Sequence, residues 1–269
     1  MCTAAAYRTD GLYFGRTLDY EFSYGDAVMV VPRNYSFKMG RTDDISSHYA
    51  IIGMACSAFD YPLFYDGMNE KGLCMAGLNF VKSAVYREPV ECMTNVAQYE
   101  LIPLILGKCG SVKEARELLR NINITNDCYR PDLPCAKLHW IIADGEETIV
   151  CESVEEGLRI YDDPAQVLTN EPSFDRQMFN LNQFMALSPK NPENTFHAVF
   201  PLICTAVEWV LSVSPATFPQ CQGLSVRHMC VQIPYLAARK MKASPSFSTF
   251  SARWISREAA ARSARESMR

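Results

Sequence analysis

The chain has 269 residues, of which 48% are hydrophobic, so it is long enough to bury the core of one large domain or two small ones. Its net charge of −4 excludes a general attraction to nucleic acid or anionic membranes, and no apolar run approaches the roughly 18 residues that span a bilayer. The N-terminus lacks the basic start and apolar stretch of a signal peptide. The eleven cysteines show no Cys-x-x-Cys spacing. We therefore expect reduced thiols in a cytoplasmic protein, with no disulfide framework and no zinc site.

Short or alternating apolar runs predict eight β-strands in the first two thirds of the chain. In chain order they are Thr3–Tyr7, Leu12–Leu18, Ala27–Val31, Tyr49–Cys56, Leu73–Phe80, Lys137–Ala143, Thr148–Glu152 and Gly157–Tyr161. Asp144-Gly145 predicts a tight hairpin turn between the sixth and seventh of them. Such a succession of strands favours an α+β fold whose sheets are covered by helices.

Helices are predicted between the fifth and sixth strands, over Val96–Leu106 and Val112–Asn121. Ser111 with Glu114 three residues later is a capping-box pattern at the start of the second. A third helix is expected to begin near Phe174. Near the end of the chain, a helix is expected over Ser256–Arg269, because this segment is rich in Ala, Glu and Arg.

Cys2 follows the initiator Met, which is normally removed when the second side chain is small. A cysteine at the N-terminus supplies a thiolate nucleophile and a free α-amine with a pKa of about 7.7–8.0, which can relay protons at neutral pH. A hairpin between the first two strands would bring Arg16 and Asp19 alongside it. A guanidinium favours the thiolate, and a carboxylate can hold the amine. The alternative for Arg16 and Asp19 is a surface ion pair.

Asn79 ends an apolar strand, and Asn170 stands where another apolar run stops. Asparagine amides and neighbouring backbone N–H groups suit an oxyanion hole, although each residue would equally serve as a turn or cap. The four histidines show no metal-ligand spacing, and His139 lies in an apolar strand as a core residue. No metal is assigned.

Together these segments resemble the choloylglycine hydrolase and penicillin V acylase family. The resemblance covers about residues 1–196. It rests on Met1-Cys2-Thr3, on Gly15-Arg16-Thr17-Leu18-Asp19-Tyr20-Glu21, on Val31-Pro32-Arg33-Asn34, on residues 66–73 (Asp-Gly-Met-Asn-Glu-Lys-Gly-Leu), on Ala76-Gly77-Leu78-Asn79-Phe80, and on residues 168–174 (Leu-Thr-Asn-Glu-Pro-Ser-Phe).

The resemblance implies an αββα sandwich of the N-terminal-nucleophile hydrolase type and hydrolysis of a linear amide in a glycine- or taurine-conjugated bile acid. It implies that Cys2 is the nucleophile and its α-amine the proton relay. Arg16 would tune the thiolate, Asp19 would hold the amine, and Asn79 and Asn170 would line the oxyanion site. It further implies a homotetramer. We expect no cofactor and no nucleic-acid or membrane partner. Several family members carry a propeptide before the cysteine, whereas here loss of Met1 alone would expose Cys2. A penicillin V acylase-type amidase is the alternative.

The composition changes after about residue 196, where the family pattern stops. The last 73 residues contain no Asp or Asn, one Gly, and nine Lys or Arg against three Glu. The family would continue here with a glycine-rich segment and another active-site arginine. We expect residues 197–269 to be a disordered tail outside the family domain, and the sandwich to be incomplete.

Reading the codons of this tail one base out of phase restores family-like sequence. Trp209 followed by Val210 must then give glycine, and the stretch from Ile203 to Phe218 can encode a Ser-Arg-Gly-Met-Gly segment. We therefore expect a frameshift near codons 195–202, and little activity from the chain as written. A genuine divergent tail and a basic nucleic-acid-binding appendage are the alternatives. The tail's basic residues are interspersed with apolar ones rather than gathered into a stripe with stacking aromatics, which disfavours the second.

Overall fold

The computed structural model describes residues 2–19, 23–57 and 59–183. The expectations for residues 197–269 lie outside these ranges. The strands are β1 (Thr3–Arg8), β2 (Leu12–Thr17), β3 (Asp26–Val31), β4 (Ile51–Cys56), β5 (Leu63–Phe64), β6 (Asp66–Asn69), β7 (Cys74–Asn79), β8 (Thr94–Ala97), β9 (Ile122–Thr125), β10 (Leu138–Ala143), β11 (Thr148–Val154), β12 (Gly157–Asp162) and β13 (Val167–Thr169). The helices are α1 (Leu101–Lys108), α2 (Val112–Leu119) and α3 (Phe174–Asn182), with a 3-10 turn over Gln98–Glu100. No helix in the described ranges has the length and apolar character needed to cross a membrane.

All eight strands predicted from the sequence are confirmed, as β1 to β4, β7 and β10 to β12. The Asp144-Gly145 turn joins β10 to β11, and the Asp144 carboxylate accepts the backbone N–H groups of Glu146 and Glu147 at 2.8 and 2.9 Å. The Ser111 cap is confirmed by a 3.3 Å bond from the Glu114 N–H to its hydroxyl oxygen. The third helix begins at Phe174 as predicted.

The predicted helix over Val96–Leu106 is wrong in its first turn. Val96 belongs to β8, where it pairs in parallel with Ile124 of β9, and α1 starts only at Leu101. This start places Pro103 in the first turn, where its missing N–H costs nothing. A helix that started at Val96 would carry the proline in its interior and break there.

Two sheets face each other. β13, β1 and β2 form a three-stranded sheet, and the larger sheet runs in the order β12-β11-β10-β7-β6-β4-β3 with β5 beside β4. Alternation along the central strands of the larger sheet separates two cores. One core lies between the sheets and contains Cys2, Ala4, Ala76, Leu78, Ile141, Val150, Leu168 and Phe174.

The second core lies on the other face of the larger sheet, under the helices. Met75, Trp140 and Ile149 point to this side, where they join the buried apolar residues of α1 and α2. The described residues therefore form one helical layer and two sheet layers. Cys2, at the start of β1, is buried between the sheets.

The approach of β4 to β6 depends on a glycine. A Cβ atom on Gly53 would lie 2.1 Å from the Asp66 carbonyl oxygen and 2.7 Å from the Gly67 Cα. Both are backbone atoms that cannot swing away, so Gly53→Ala is expected to lower the free energy of unfolding by about 3 kcal/mol. Urea denaturation of the expressed chain measures this. The control is Gly145→Ala, since a Cβ there has nothing within 4 Å. Equal midpoints for the two variants would contradict the expectation.

Candidate active site around Cys2

Cys2 begins the first strand of the smaller sheet and is 2% exposed. It is a free thiol packed in the core between the two sheets, where Leu18 and Phe14 of the neighbouring chain segment also contact the cluster. Met1 lies outside the described residues. The predicted nucleophile is thus placed at the interface of the sheets rather than on the surface.

The strand registers identify the neighbours of Cys2. Thr3 pairs with Thr169 in the antiparallel ladder of β1 and β13. One further step along this ladder sets Cys2 opposite Asn170. On its other side, the same step in the ladder with β2 sets Cys2 opposite Leu18. Asn170 is therefore brought to Cys2 by strand pairing, across 168 residues of sequence separation.

Arg16, on β2, lies two residues before Leu18 and pairs with Ala4 of β1. Its Nη2 donates to the Gly77 carbonyl at 3.0 Å, and Nη1 lies 3.7 Å from Asp66 Oδ2, with the Arg16 side chain 5% exposed. The guanidinium thus bridges from the smaller sheet to β6 and β7. Its Nε and Nη1 hydrogens are buried without a hydrogen-bond acceptor. They form a cationic donor pair available to an anionic group between the sheets.

Asp66 is a charged neighbour that the sequence argument did not identify as part of the site. Burial raises the pKa of its carboxyl, and the Arg16 guanidinium acts in the opposite direction. Its Oδ1 accepts the Met54 N–H at 3.3 Å. The residue lies within a segment that resembles the family, but only the three-dimensional structure pairs it with Arg16.

Asp19 is exposed, two residues beyond the end of β2. Leu18, which precedes it, packs against the core around Cys2. The structure thus places Asp19 near the N-terminal segment. Its predicted contact with the α-amine stays a prediction.

Asn79 is the last residue of β7 and pairs with Leu138 of β10. Leu78, the residue before it, packs in the same core as Cys2. Asn79 is partly buried. Its oxyanion role stays a prediction.

Asn170 follows β13 directly. Its side-chain Oδ1 is buried and has no hydrogen-bond partner within the described part of the chain. A buried polar atom without a partner is costly and usually has a functional explanation. The combination of this unpaired amide with its place opposite Cys2 makes Asn170 the strongest candidate for substrate contact.

Gln177 of α3 fixes the backbone around Asn170. Its Nε2 donates to the carbonyls of Asn170 and Pro172, both at 2.7 Å. Its Oε1 accepts the Thr169 N–H at 3.2 Å and the Thr169 hydroxyl at 3.1 Å. All four hydrogen bonds of this side chain are made to three residues of this segment, Thr169, Asn170 and Pro172. No sequence pattern indicated this role.

Glu171 connects the Asn170 segment to the loop that follows Asn79. Its carboxylate accepts the backbone N–H groups of Lys82 and Ser83 at 2.7 and 3.2 Å, and the Ser83 hydroxyl at 2.8 Å. The two asparagines predicted for the oxyanion site therefore lie on segments that are joined by one carboxylate.

His139 supports the same segment from the core and is completely buried, as expected for a core residue. Its Nε2 lies 2.7 Å from the Thr169 carbonyl, which can only accept, so Nε2 carries a hydrogen. Its Nδ1 lies 2.9 Å from Glu152 Oε1, which also accepts the Phe174 N–H at 2.9 Å. The ring stacks on Phe80 with centroids 4.3 Å apart. Among the described residues, no group of three or more His, Cys, Asp or Glu side chains could hold a metal ion.

Comparison with known proteins was consistent across sequence and structure. Residues 2–201 match the family model of the linear amide C-N hydrolases, choloylglycine hydrolase family. A bile salt hydrolase/transferase from Lactiplantibacillus plantarum is 47% identical over 196 residues, covering 73% of this chain and 60% of that protein. A conjugated bile acid hydrolase from Lactobacillus gasseri is 37% identical over 193 residues, covering 70% and 61%. The chain thus spans about three fifths of the length of these relatives.

Solved structures show the same architecture. A mutant of the conjugated bile acid hydrolase from Clostridium perfringens aligns with a TM-score of 0.67 at 37% identity, covering 71% of this chain and 60% of that one. Penicillin V acylase from Agrobacterium tumefaciens aligns with a TM-score of 0.61 at 20% identity, covering 83% and 75%, and shows the shared fold alone. The chain therefore belongs to the choloylglycine hydrolase family of linear amide C–N hydrolases, and its described residues form one helical layer and both sheet layers of the αββα sandwich of the N-terminal-nucleophile hydrolases.

Proposed function

We propose that this chain carries the nucleophile half of an enzyme that hydrolyses the amide bond of glycine- or taurine-conjugated bile acids. The observation that carries the proposal is the register of β1 with β13, which, continued by one residue, sets Cys2 opposite Asn170, whose side-chain Oδ1 is buried and unpaired within the described part of the chain. The substrate class is supported by the bile salt and conjugated bile acid hydrolases that are similar to the chain. We infer a cytoplasmic homotetramer that needs no cofactor.

The proposed reaction begins once Met1 is removed. The Cys2 thiol passes its proton to its own α-amine and attacks the amide carbon. The oxyanion that forms accepts hydrogen bonds from the side-chain amides of Asn79 and Asn170. The α-amine then protonates the departing glycine or taurine nitrogen, and the C–N bond breaks to leave a thioester on Cys2.

Water completes the reaction. It loses a proton to the α-amine, attacks the thioester carbon and releases the free bile acid, which restores the Cys2 thiol. Asp19 would hold the α-amine in the orientation that both proton transfers need. Asn170 Oδ1 is an acceptor without a partner, so it can receive an N–H from the same amine. Arg16, with two buried donors, would favour the thiolate.

Two further hypotheses compete with hydrolysis of conjugated bile acids. A penicillin V acylase-type amidase would use the same nucleophile on a phenoxyacetyl amide, but the acylase compared above shares only the fold. The other reading is an inactive product of a frameshifted gene. We propose that residues 197–269 are an out-of-frame translation, because their composition departs from the rest of the chain and their codons can encode family-like segments when read out of phase.

The experiment compares two genes, one encoding the chain as given and one with the reading frame restored near codons 195–202. Each protein is offered glycocholate, taurocholate and penicillin V, and the released amine is quantified. We expect the frame-restored protein to hydrolyse the bile salts at least about 100-fold faster than penicillin V, and the chain as given to show little turnover. Preference for penicillin V would favour the acylase. Robust turnover of glycocholate by the chain as given would overturn the hypothesis of an inactive product.

A further inference from the structure

A short hairpin after β9 carries two cysteines on opposite arms. Arg130 and Leu133 form an antiparallel bridge, and the Leu133 N–H donates to the Arg130 carbonyl at 3.1 Å, which closes a tight turn. Two residues further along each arm stand Cys128 and Cys135. Counted from this bridge, they stand opposite one another, and antiparallel partners have a Cα separation of about 4.5–5.5 Å. A disulfide requires a separation of about 4.4–6.8 Å.

The environment of the two thiols agrees with this register. Both cysteines are free thiols, with Cys128 exposed and Cys135 partly exposed, and Cys128 is a close enough neighbour to raise the pKa of the Cys135 thiol. Cys135 Sγ also lies 3.6 Å from the Asn126 carbonyl oxygen. Partial burial raises the pKa of Cys135 to about 12, and the neighbouring Cys128 acts in the same direction.

We propose that Cys128 and Cys135 form a redox-active thiol pair that closes to a disulfide in the presence of a small-molecule disulfide such as glutathione disulfide. The exposed Cys128 thiolate attacks one sulfur of glutathione disulfide, which forms a mixed disulfide and releases one glutathione thiolate. Cys135 loses its proton and attacks the Cys128 sulfur, which releases the second glutathione. The pair is oxidised by two electrons, and glutathione disulfide is reduced to two glutathione molecules.

The hairpin is attached to the neighbourhood of the active site at its end. The Phe80 N–H donates to the Lys137 carbonyl at 2.8 Å, directly after Asn79. Tyr129, between the two cysteines, packs on Phe59 and Tyr61 with ring centroids 5.6 and 5.8 Å away. A disulfide would therefore fix a loop that continues into the strand beside Asn79. The inference does not depend on the proposed activity, since it concerns the thiols alone.

Peptide mass spectrometry of the full chain tests the proposal. After incubation with glutathione disulfide, free thiols are alkylated with iodoacetamide and the chain is digested with trypsin. Because trypsin does not cleave the Arg130–Pro131 bond, Cys128 and Cys135 fall in one peptide, Asn121–Lys137, which contains no other cysteine. We expect this peptide to lose two hydrogen atoms in mass and to carry neither alkyl group nor glutathione. Treatment with a reducing agent should restore both alkylation sites.

Cys92 is the matched control. It is exposed and lies in a separate tryptic peptide, Glu88–Lys108, with no second cysteine. It should gain glutathione but form no internal bond. In Cys128→Ser, the peptide Asn121–Lys137 should end as the alkylated or glutathione-bound form of Cys135.

Three results would overturn the proposal. The first is a peptide Asn121–Lys137 in which both cysteines are alkylated, or both carry glutathione, at a time when Cys92 already carries glutathione. The second is a bond from either cysteine to a third one elsewhere. The third is equally fast closure in concentrated guanidinium chloride, since closure would then owe nothing to the folded hairpin.

Discussion

Replacement of Cys2 by serine is expected to lower kcat for glycocholate by about four orders of magnitude, because removal of a covalent nucleophile eliminates the reaction path itself. Serine is nearly isosteric with cysteine, so packing in the core between the sheets is kept. Its hydroxyl ionises far less readily than a thiol. The variant is made in whichever of the two chains, as given or frame-restored, hydrolyses glycocholate.

The control for this prediction is Cys92→Ser, which removes an exposed thiol away from the site and should leave kcat unchanged. Intact-mass measurement after rapid acid quenching adds a second observation. The chain with Cys2 should carry a bile-acyl group, and the variant should not. Retention of more than about a tenth of the activity in Cys2→Ser would refute the assignment of Cys2 as nucleophile.

Substitution of Asn170 by alanine should lower kcat by about 10²–10³-fold with KM changed far less, since loss of an oxyanion-hole donor acts on the transition state rather than on the bound substrate. The Asn170 carbonyl remains in place as an acceptor for Gln177, so the backbone support of the segment is kept. Steady-state kinetics with glycocholate measures the change. A proportional rise in KM with constant kcat would assign Asn170 to substrate binding instead.

Gln177→Met tests whether the support of this segment matters for catalysis. Methionine has a similar length but cannot make the four hydrogen bonds to Thr169, Asn170 and Pro172. We expect kcat to fall about tenfold, because the Asn170 amide is no longer held opposite Cys2. Gln183→Met, on the exposed residue that follows the same helix, is the control and should have no effect.

The double variant separates positioning from general destabilisation. If Gln177 acts through Asn170, then Gln177→Met should cost almost nothing further once Asn170 is alanine. Fully additive losses would instead show that Gln177 contributes to folding independently of the site. If Asn170→Ala alone leaves kcat unchanged while Cys2→Ser abolishes activity, the oxyanion role of Asn170 fails and the proposed reaction class stands.

Local sequence patterns were sufficient to predict the strands and helices whose signals lie within a few neighbouring residues. Short apolar runs predict β10 and β11, which are buried on both faces, and the Asp144-Gly145 pair predicts their turn, because both signals act between near neighbours. The Ser111 cap is equally local. Cys2 could be singled out from the N-terminus because its chemistry depends on chain position, and the surrounding motifs resemble one family closely.

Pairing between strands that are distant in sequence determined the elements that local patterns did not predict. Val96 was expected in a helix and instead joins β8, because its parallel partner Ile124 comes from a distant segment. β13, three residues long, is defined by its ladder with β1 rather than by a pattern of its own. Helix propensity and strand alternation are weak beside tertiary hydrogen bonds and burial, which override them where they conflict.

The polar partners around the site follow the same rule. Nothing in the sequence near Arg16 indicates Asp66, and nothing near Asn170 indicates His139. Both partners come from strands of the larger sheet and meet their targets only where the two sheets face each other. Charges and hydrogen-bond donors interact over a few ångströms of space regardless of their separation along the chain. The residue types capable of amide hydrolysis can therefore be identified from the sequence. The contacts that orient them arise only from the packing of the two sheets.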